Sequence, residues 1–419
     1  MVIGIVFYHK DVQGTKMGLE ILTQILGIPN WIVKDFFIGE KEIILWLART
    51  GYPSCPKCGQ HHIVGPKDRR IQRVEDLSIS GKRCFLQILK YRINCSCGYK
   101  GTEEIEWLER YERVSVRFKD WTYKFCKRMT GKDVSILFGI SKHLVYRLDK
   151  NGILKELSQQ KPIEPKRIGI DEISRKKGHR YATIISAPAE RKILEVVKGR
   201  KKADLAPFFK EKGKKWCERI EVASMDAWKA FRNVATKYCR NVSICFDHFH
   251  LAQHFSKAID KLRVQETRLA SKKHKDVYHG TRWLLLRNPM NLKEEDKPVL
   301  DRLLMLNKKL FTAYILRDRF REIFKGITSH SRLIRLGIWK REARSANIGY
   351  ISEFLKKIER WEPYIKNSLR YNQSNAFSEG LNNKVRVIQR MAYGYKDFEY
   401  LRLKIIQQFN FKDVKSVFD

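Results

Sequence analysis

Acidic residues are scarce in this sequence. Against 85 Lys and Arg stand 46 Asp and Glu, a net charge of +39 over 419 residues. So large an excess goes beyond what colloidal solubility asks for and points to a polyanion, whose condensed counterions Lys and Arg displace. A lysine-rich surface with no such partner is the plainer explanation, but acids then usually balance the bases. Long apolar runs are missing too; none approaches the roughly 20 residues a membrane span needs. The opening MVIGIVFYHK has neither a basic stretch ahead of its apolar residues nor a small-residue cleavage site, so it does not read as a secretory signal. Met17 opens a more ordinary amphipathic segment, and residues 1–16 are expected to be peripheral or a start-site artefact. The chain has no G-x-x-x-x-G-K-[ST], no H-E-x-x-H and no G-x-S-x-G. That excludes a phosphate-loop motor, a zincin and a nucleophile-elbow hydrolase. Disulfide chemistry is not expected either: nine Cys is an odd number, and four of them form two close pairs, the pattern of a reducing compartment and a metal.

What is present suits a packed protein of several domains. Hydrophobic residues make up 43%, and 22 Phe, 17 Tyr and 9 Trp exclude wholesale disorder. Residues 17–50 read as a short amphipathic helix and strand. The Cys pairs fall in 51–108 among alternating patterns such as RCFLQILKYRI, and 109–150 turns helical. The segment NGILKELSQQKPIEPKR, with Pro162 and Pro165, reads as a linker. Beyond it the pattern runs strand, strand, strand, helix, strand, helix, strand, through KRIGIDEI, HRYATIISA, KILEVVKG, ADLAPFFKEKG, ERIEVASM, DAWKAFRNVATKYC and NVSICFD. Residues 250–370 are long, charged and helical, and 375–408 reads as one more helix.

Cys55-Pro-Lys-Cys58 and Cys95-Ser-Cys97, each followed by Gly, can supply four thiolates to one tetrahedral Zn²⁺. One structural zinc is expected, with His61 and His62 as possible substitute ligands and Cys84 as an ordinary strand residue. The second pair has a single intervening residue, and the 36 residues between Cys58 and Cys95 can hold a hairpin.

Residues 130–148 have the shape of a helix-turn-helix. Val134 and Leu137 are expected to face its core, Gly139 to take the turn and Ser141 to cap the second helix, which Val145 and Leu148 anchor. Lys142, His143, Tyr146 and Arg147 are then left outward, as a recognition face for a major groove. An ordinary helical hairpin with a charged face is the competing explanation.

Acids inside apolar strands of so basic a chain call for a reason. Asp171 is embedded in RIGIDEI, Asp226 ends VASMD, and Glu379 lies in SNAFSEGLNNK. Three carboxylates distant in sequence can meet at the carboxyl end of a sheet and bind two Mg²⁺ for in-line attack on a phosphodiester, with Mn²⁺ as an expected substitute. The strand order is that of a ribonuclease-H-like fold. Glu172 adjoins Asp171 but points to the opposite face of the strand and is left structural.

The stretches IGIDEIS with GHRYATII, VASMDAWKAF, CFDHFHLAQH and SNAFSEGLNNKVRVIQRMAYGYKDFEYLRLKI resemble, in order, the signature segments of the ISL-three family of bacterial insertion-sequence transposases. The resemblance covers nearly the whole chain from about Met17. It implies an α/β protein: a zinc ribbon (51–108, after an N-terminal segment 1–50), a helix-turn-helix domain (109–160), and a ribonuclease-H-like DDE core (161–255 and 371–419) interrupted by a helical insertion (256–370). It also implies Asp171, Asp226 and Glu379 as the DDE triad. Asp247-His248-Phe249-His250 resembles a D-x-x-H signature, with His250 orienting a phosphate or the scissile strand. A plain helix cap by Asp247, or Asp247 in place of Asp226 as metal ligand, are the alternatives. Trp283 beside Arg282 can stack on an unpaired base, and Arg386, Arg390 and Lys396 can hold phosphates; a core Trp and a solvated basic face are the alternatives. The Tyr393-Gly394-Tyr395 break is expected to bend the last helix. The expected partners are double-stranded DNA at transposon ends and target, and a second copy of the chain or more, in a bacterial cytoplasm at the nucleoid. A nuclease or resolvase that does not join strands, or a DNA-binding regulator with a dead core, remain competing readings.

Overall fold

A computed structural model describes residues 12–176, 180–271, 274–371 and 376–411, without the side chains of 12–16, 66, 176, 376 and 379. The described residues are a mixed α/β chain in two compact units, one up to Gln160 and the other Lys161–Phe411.

The first unit opens with α1 (Val12–Leu26), β1 (Trp31–Ile38), β2 (Glu42–Arg49), β3 (Arg69–Ile79), β4 (Lys82–Asn94) and β5 (Lys100–Thr102). The sheet runs β1-β2-β4-β3, with β5 added to β4; β2 and β4 are parallel and the other pairs antiparallel. Alternation explains its core: Ile43, Leu45 and Leu47 of β2 meet Cys84, Leu86 and Ile88 of β4, with Val74, Leu26 and Trp31. The expected division at residue 50 thus falls between strands of one sheet. Three helices follow, α2 (Val116–Cys126), α3 (Gly131–Phe138) and α4 (Lys142–Ser158). Ser115, Thr130 and Ser141 cap them, each side chain accepting from the backbone N–H three residues on. Buried Asp76 of β3 binds the first of these helices: it accepts from Ser115 Oγ at 2.6 Å and from the Arg117 guanidinium.

The second unit begins with β6 (Arg167–Lys176), β7 (Arg180–Ala187), β8 (Lys192–Lys198), α5 (Lys202–Glu218), β9 (Val222–Met225), α6 (Lys229–Tyr238) and β10 (Ser243–Phe246). This matches the strand–helix order read from the sequence. The sheet order is β10-β9-β6-β7-β8; β6, β9 and β10 are parallel and β7 runs against its neighbours. Then come α7 (His248–Leu269), α8 (Lys275–Tyr278), α9 (Arg282–Leu286), α10 (Lys297–Leu306), α11 (Lys308–Ile323), α12 (Ser329–Ser345), α13 (Gly349–Tyr371), α14 (Ala376–Met391) and α15 (Phe398–Asn410). The helical region is centred on Phe255, Phe320, Trp339 and Phe354; the rings of Phe255 and Phe354 stack at 4.6 Å. Both sheet edges are covered. Asn367 and Ser368 of α13 donate to the Ile244 and Phe246 carbonyls of β10. Asn410 of α15 exchanges two hydrogen bonds, 2.7 and 2.8 Å, with the backbone of Ile193 in β8. Unpaired strand edges invite pairing with other chains, and these contacts remove the invitation. No helix among the described residues is long and apolar enough to cross a membrane.

Several expectations need correction. Leu137 is 56% exposed, and Phe138 packs toward Val134 and Phe118 instead. Position i+4 lies closer than i+3 to the direction of residue i on a 3.6-residue helix, so in this short helix Phe138 takes the inner face. The segment 151–158 belongs to α4 rather than to a linker. Residues 375–408 hold two helices, not one. Tyr393 (φ 51°) and Gly394 (φ 93°) end α14 outright, because left-handed backbone cannot continue a right-handed helix. Residues 1–11 lie outside the described residues.

Candidate active site and metal centres

The zinc-ligand candidates converge. Cys55, Cys58, Cys95 and Cys97 place their sulfurs within 4.8 Å of one another. The Cys55–Cys97 and Cys58–Cys95 separations are 3.6 and 3.5 Å. Bonds of about 2.3 Å to a tetrahedral centre give sulfur–sulfur edges of about 3.8 Å, so the four thiols fit Zn²⁺ with little movement. Gly59 and Gly98 follow the pairs at φ 75° and 89°, turning the backbone back toward the sulfurs. Burial pushes the Cys55 thiol up, but backbone amides of Cys58 and Lys57 and the neighbouring thiols bring it down to about 7. One thiolate among close thiols is the beginning of a metal site. His61 and His62 are not in the cluster, and Cys84 is a buried strand residue.

The carboxylates are brought together by strand register. Ile170 of β6 pairs with Met225 of β9, and Met225 with Phe246 of β10. The next residue on each strand is an aspartate: Asp171, Asp226 and Asp247. Parallel neighbours lie about 4.8 Å apart, so the three form a row across adjacent strands. Burial, and then the Asp226 carboxylate, push Asp171 up to about 6; the Asn382 amide and the Glu172 N–H oppose this. Asp171 Oδ2 accepts from Asn382 Nδ2 at 2.7 Å, and Oδ1 from Glu172 N–H at 2.7 Å.

Asp247 caps α7 by accepting from Phe249 N–H, which presents His250 one turn in. The His250 Nδ1 lies 2.5 Å from Asp226 Oδ1 and 3.0 Å from Asp247 Oδ2. Burial alone would lower the imidazole, but hydrogen bonds to the two carboxylates override it and raise His250 to about 10. Asp247 is thus both helix cap and partner of His250. Glu172 faces away from Asp171 and pairs with Arg200 at 2.9 Å.

Glu379 lies in the first turn of α14, three residues before Asn382; its side chain is outside the description. Arg386 and Arg390 are exposed on the same helix, as is Lys396 beyond it. Lys142 and His143 are exposed on the first turn of α4. Arg147 is engaged by Glu112 through two hydrogen bonds, and Tyr146 lies against Gly131. Trp283 is 62% exposed, with the Arg282 guanidinium 5.1 Å from its ring centroid; it is not a core residue. Asn382 escaped the sequence reading, although a pair of Asn one turn after Glu379 in EGLNNK was the available signal.

A family model described as "Transposase", the DDE domain of ISL-three elements, matches residues 168–405. A second, described as the zinc-finger of transposase IS204/IS1001/IS1096/IS1165, matches 51–97. The transposase for insertion sequence element IS1001 of Bordetella parapertussis is 29% identical over 84% of this chain and 87% of its own length. The transposase for IS1557 of Mycobacterium tuberculosis is 24% identical, covering 82% of each chain. A Lactococcus lactis protein named as an ATP-dependent protease is 32% identical over 29% of this chain and 36% of its own.

Proposed function

Since the chain belongs to the ISL-three family of insertion-sequence transposases, we propose that it recognises the terminal inverted repeats of its element and catalyses Mg²⁺-dependent strand cleavage and strand transfer with Asp171, Asp226 and Glu379. The observation that carries this is the juxtaposition of Asp171, Asp226 and Asp247, each following the last paired residue of the parallel β6–β9–β10 ladder, with His250 of α7 against Asp226 and Asp247. The order β10-β9-β6-β7-β8, with the first strand central, supports a ribonuclease-H-like core over 161–255 and 371–419, interrupted by helices over 256–370. The capped pair α3–α4 supports a helix-turn-helix domain over 109–160, and the preceding β1-β2-β4-β3 sheet carries the zinc-ribbon cysteines.

The donor set fits the metal. Carboxylate oxygens suit Mg²⁺, and the mutual repulsion of Asp171 and Asp226 is what a divalent cation relieves. Asp171, Asp226 and Glu379 would hold two Mg²⁺. Bound there, the ions supply Lewis-acid activation of the scissile phosphate and of the attacking oxygen. In cleavage a water oxygen bonds to phosphorus and the strand's 3′-oxygen leaves as a 3′-OH. In transfer that 3′-OH bonds to a target phosphorus and displaces the target's 3′-oxygen. His250 keeps a proton at Nδ1 between Asp226 and Asp247, orients both, and offers its other ring nitrogen to a phosphate. Arg386 and Arg390 lie seven and eleven residues after Glu379, on one stripe of α14 where they can follow the DNA backbone. Lys142, His143 and Tyr146 read the repeat, Arg147 helps to position them from its pair with Glu112, and Trp283 meets an unpaired base at the cut end. Two ends call for two centres, so a dimer or larger assembles on DNA.

The test is a cleavage and joining assay with Mg²⁺ on DNA bearing the element's own ends. Asp171→Asn, Asp226→Asn and Glu379→Gln should each abolish both steps. Wild-type turnover in any of them overturns that residue's role, and cleavage without joining would favour a nuclease.

A further inference from the structure

Asp171 is largely withdrawn from solvent, and among the described residues two donors set its orientation. The Glu172 N–H takes Oδ1, and the Asn382 amide takes Oδ2, both at 2.7 Å. Asn382 comes from α14, 211 positions along the chain. It is three residues after Glu379, and residues at i and i+3 share a helix face. The rotation of that helix is fixed by buried Leu381 and Val385, and by Lys384, which donates to the Gln408 carbonyl and lies over the Phe409 ring.

We propose that Asn382 is the positioning residue of this site: it fixes the Asp171 carboxylate for cation binding and locks the register of α14, and with it Glu379, against β6. The inference rests on the transposase reading above. The chemistry favours an amide at this place. A Lys or Arg would hold Asp171 as firmly but would neutralise it and compete with a divalent ion. A neutral N–H donor steers the carboxylate and leaves its charge available. The other end of the amide supports the same role. Among the described residues, Asn382 Oδ1 is buried with no hydrogen-bond partner. An Asn retained only for packing would have both ends satisfied, since an unpaired buried acceptor is costly. Here the free carbonyl stands beside the carboxylate, as an acceptor for the hydration shell of an incoming cation.

The experiment uses the full chain and Mn²⁺ as probe. Asn382→Leu keeps the volume and removes the amide; Asn382→Ser, smaller, is read instead if the Leu variant does not fold. Free Mn²⁺ is measured by electron paramagnetic resonance without DNA, and end cleavage is measured across a Mg²⁺ titration. Loss of such an orienting partner typically costs 10–100-fold in metal affinity. The variant should therefore bind Mn²⁺ on the order of 10–100-fold more weakly. Its half-maximal Mg²⁺ for cleavage should rise by the same factor, with the rate at saturating Mg²⁺ falling much less. A role in folding alone would lower the melting temperature and leave both metal constants unchanged, and that result overturns the proposal. Asp171→Asn in parallel separates the two levels. Wild-type Mn²⁺ binding and cleavage in Asp171→Asn sinks the transposase site itself. A dead Asp171→Asn beside an unaltered Asn382→Leu sinks only the role of Asn382.

Discussion

Removing the charge of Asp171 should make the metal-free protein more stable while destroying its activity. The carboxyl is raised from its ordinary 3.8 to about 6, first by burial and then by Asp226. At 1.36 kcal/mol per pH unit, keeping it ionised in the folded state costs at most about 3 kcal/mol. A carboxyl whose folded value lies above its unfolded one weakens the fold as pH rises past the unfolded value, and the cost is complete above the folded value. The penalty is therefore absent below about pH 4, grows between pH 4 and 6, and is full at pH 7. Asn at 171 avoids it, and the local hydrogen bonds can adapt. The new amide oxygen still accepts one donor, and Asn382 can turn its unpartnered Oδ1 toward the new NH₂. For a unit of this size, 1 kcal/mol moves the melting temperature by about 2–4 °C. Scanning calorimetry in EDTA should show Asp171→Asn melting about 5–10 °C above wild type at pH 7, with the gap closing toward pH 4. Mg²⁺ should raise the wild-type midpoint and leave the variant where it was. A gap that ignores pH, or a variant that melts lower at pH 7, would refute the reasoning.

Other outcomes follow from the same structure. Purified protein should carry one zinc per chain, and Cys97→Ser or prolonged chelation should release it, as metal analysis and a chromogenic zinc assay would show. Asp76→Ala leaves the half-exposed Arg117 with only its bond to the Leu26 carbonyl among those described and unpairs the buried Ser115 hydroxyl, and should destabilise the first unit by about 1–3 kcal/mol in urea unfolding followed by Trp fluorescence; no measurable cost would contradict the role of this pair. Combined Lys142→Ala and His143→Ala should leave stability within about 0.5 kcal/mol. The pair should nevertheless weaken binding to end-bearing DNA, with a log–log salt slope shallower by about one for the lost lysine contact, read by fluorescence anisotropy at several salt concentrations.

Much of this was legible along the chain. The seven-element alternation of the second unit emerged because each strand is a short apolar run ended by a turn or an aspartate, as in RIGID, VASMD and SICFD. The cysteine cluster was equally open, since local spacing fixes each knuckle. What stayed hidden depended on rotation and on distant packing. Whether Leu137 or Phe138 faces inward is a matter of some tens of degrees about a helix two turns long. The pairing of β2 with β4 joins residues on both sides of the first knuckle, and no periodicity reports a partner strand. Asn382 is a common residue on a polar helix face; only its meeting with Asp171 sets it apart. Asp247 caps α7 with one carboxylate oxygen and meets His250 with the other, a pairing that spacing alone does not separate from a plain cap.

The bond between Asp171 and Asn382 also has a meaning in time. Ribosomes add about 5–20 residues per second, so the 211 positions that separate the partners take roughly 10–40 s to synthesise. Throughout that interval the strand bearing the first aspartate exists without the helix that orients it, and β8 lacks the asparagine that closes its edge. A nascent chain that has not yet reached α14 therefore lacks the Asp171–Asn382 contact. Competence follows the synthesis of α14.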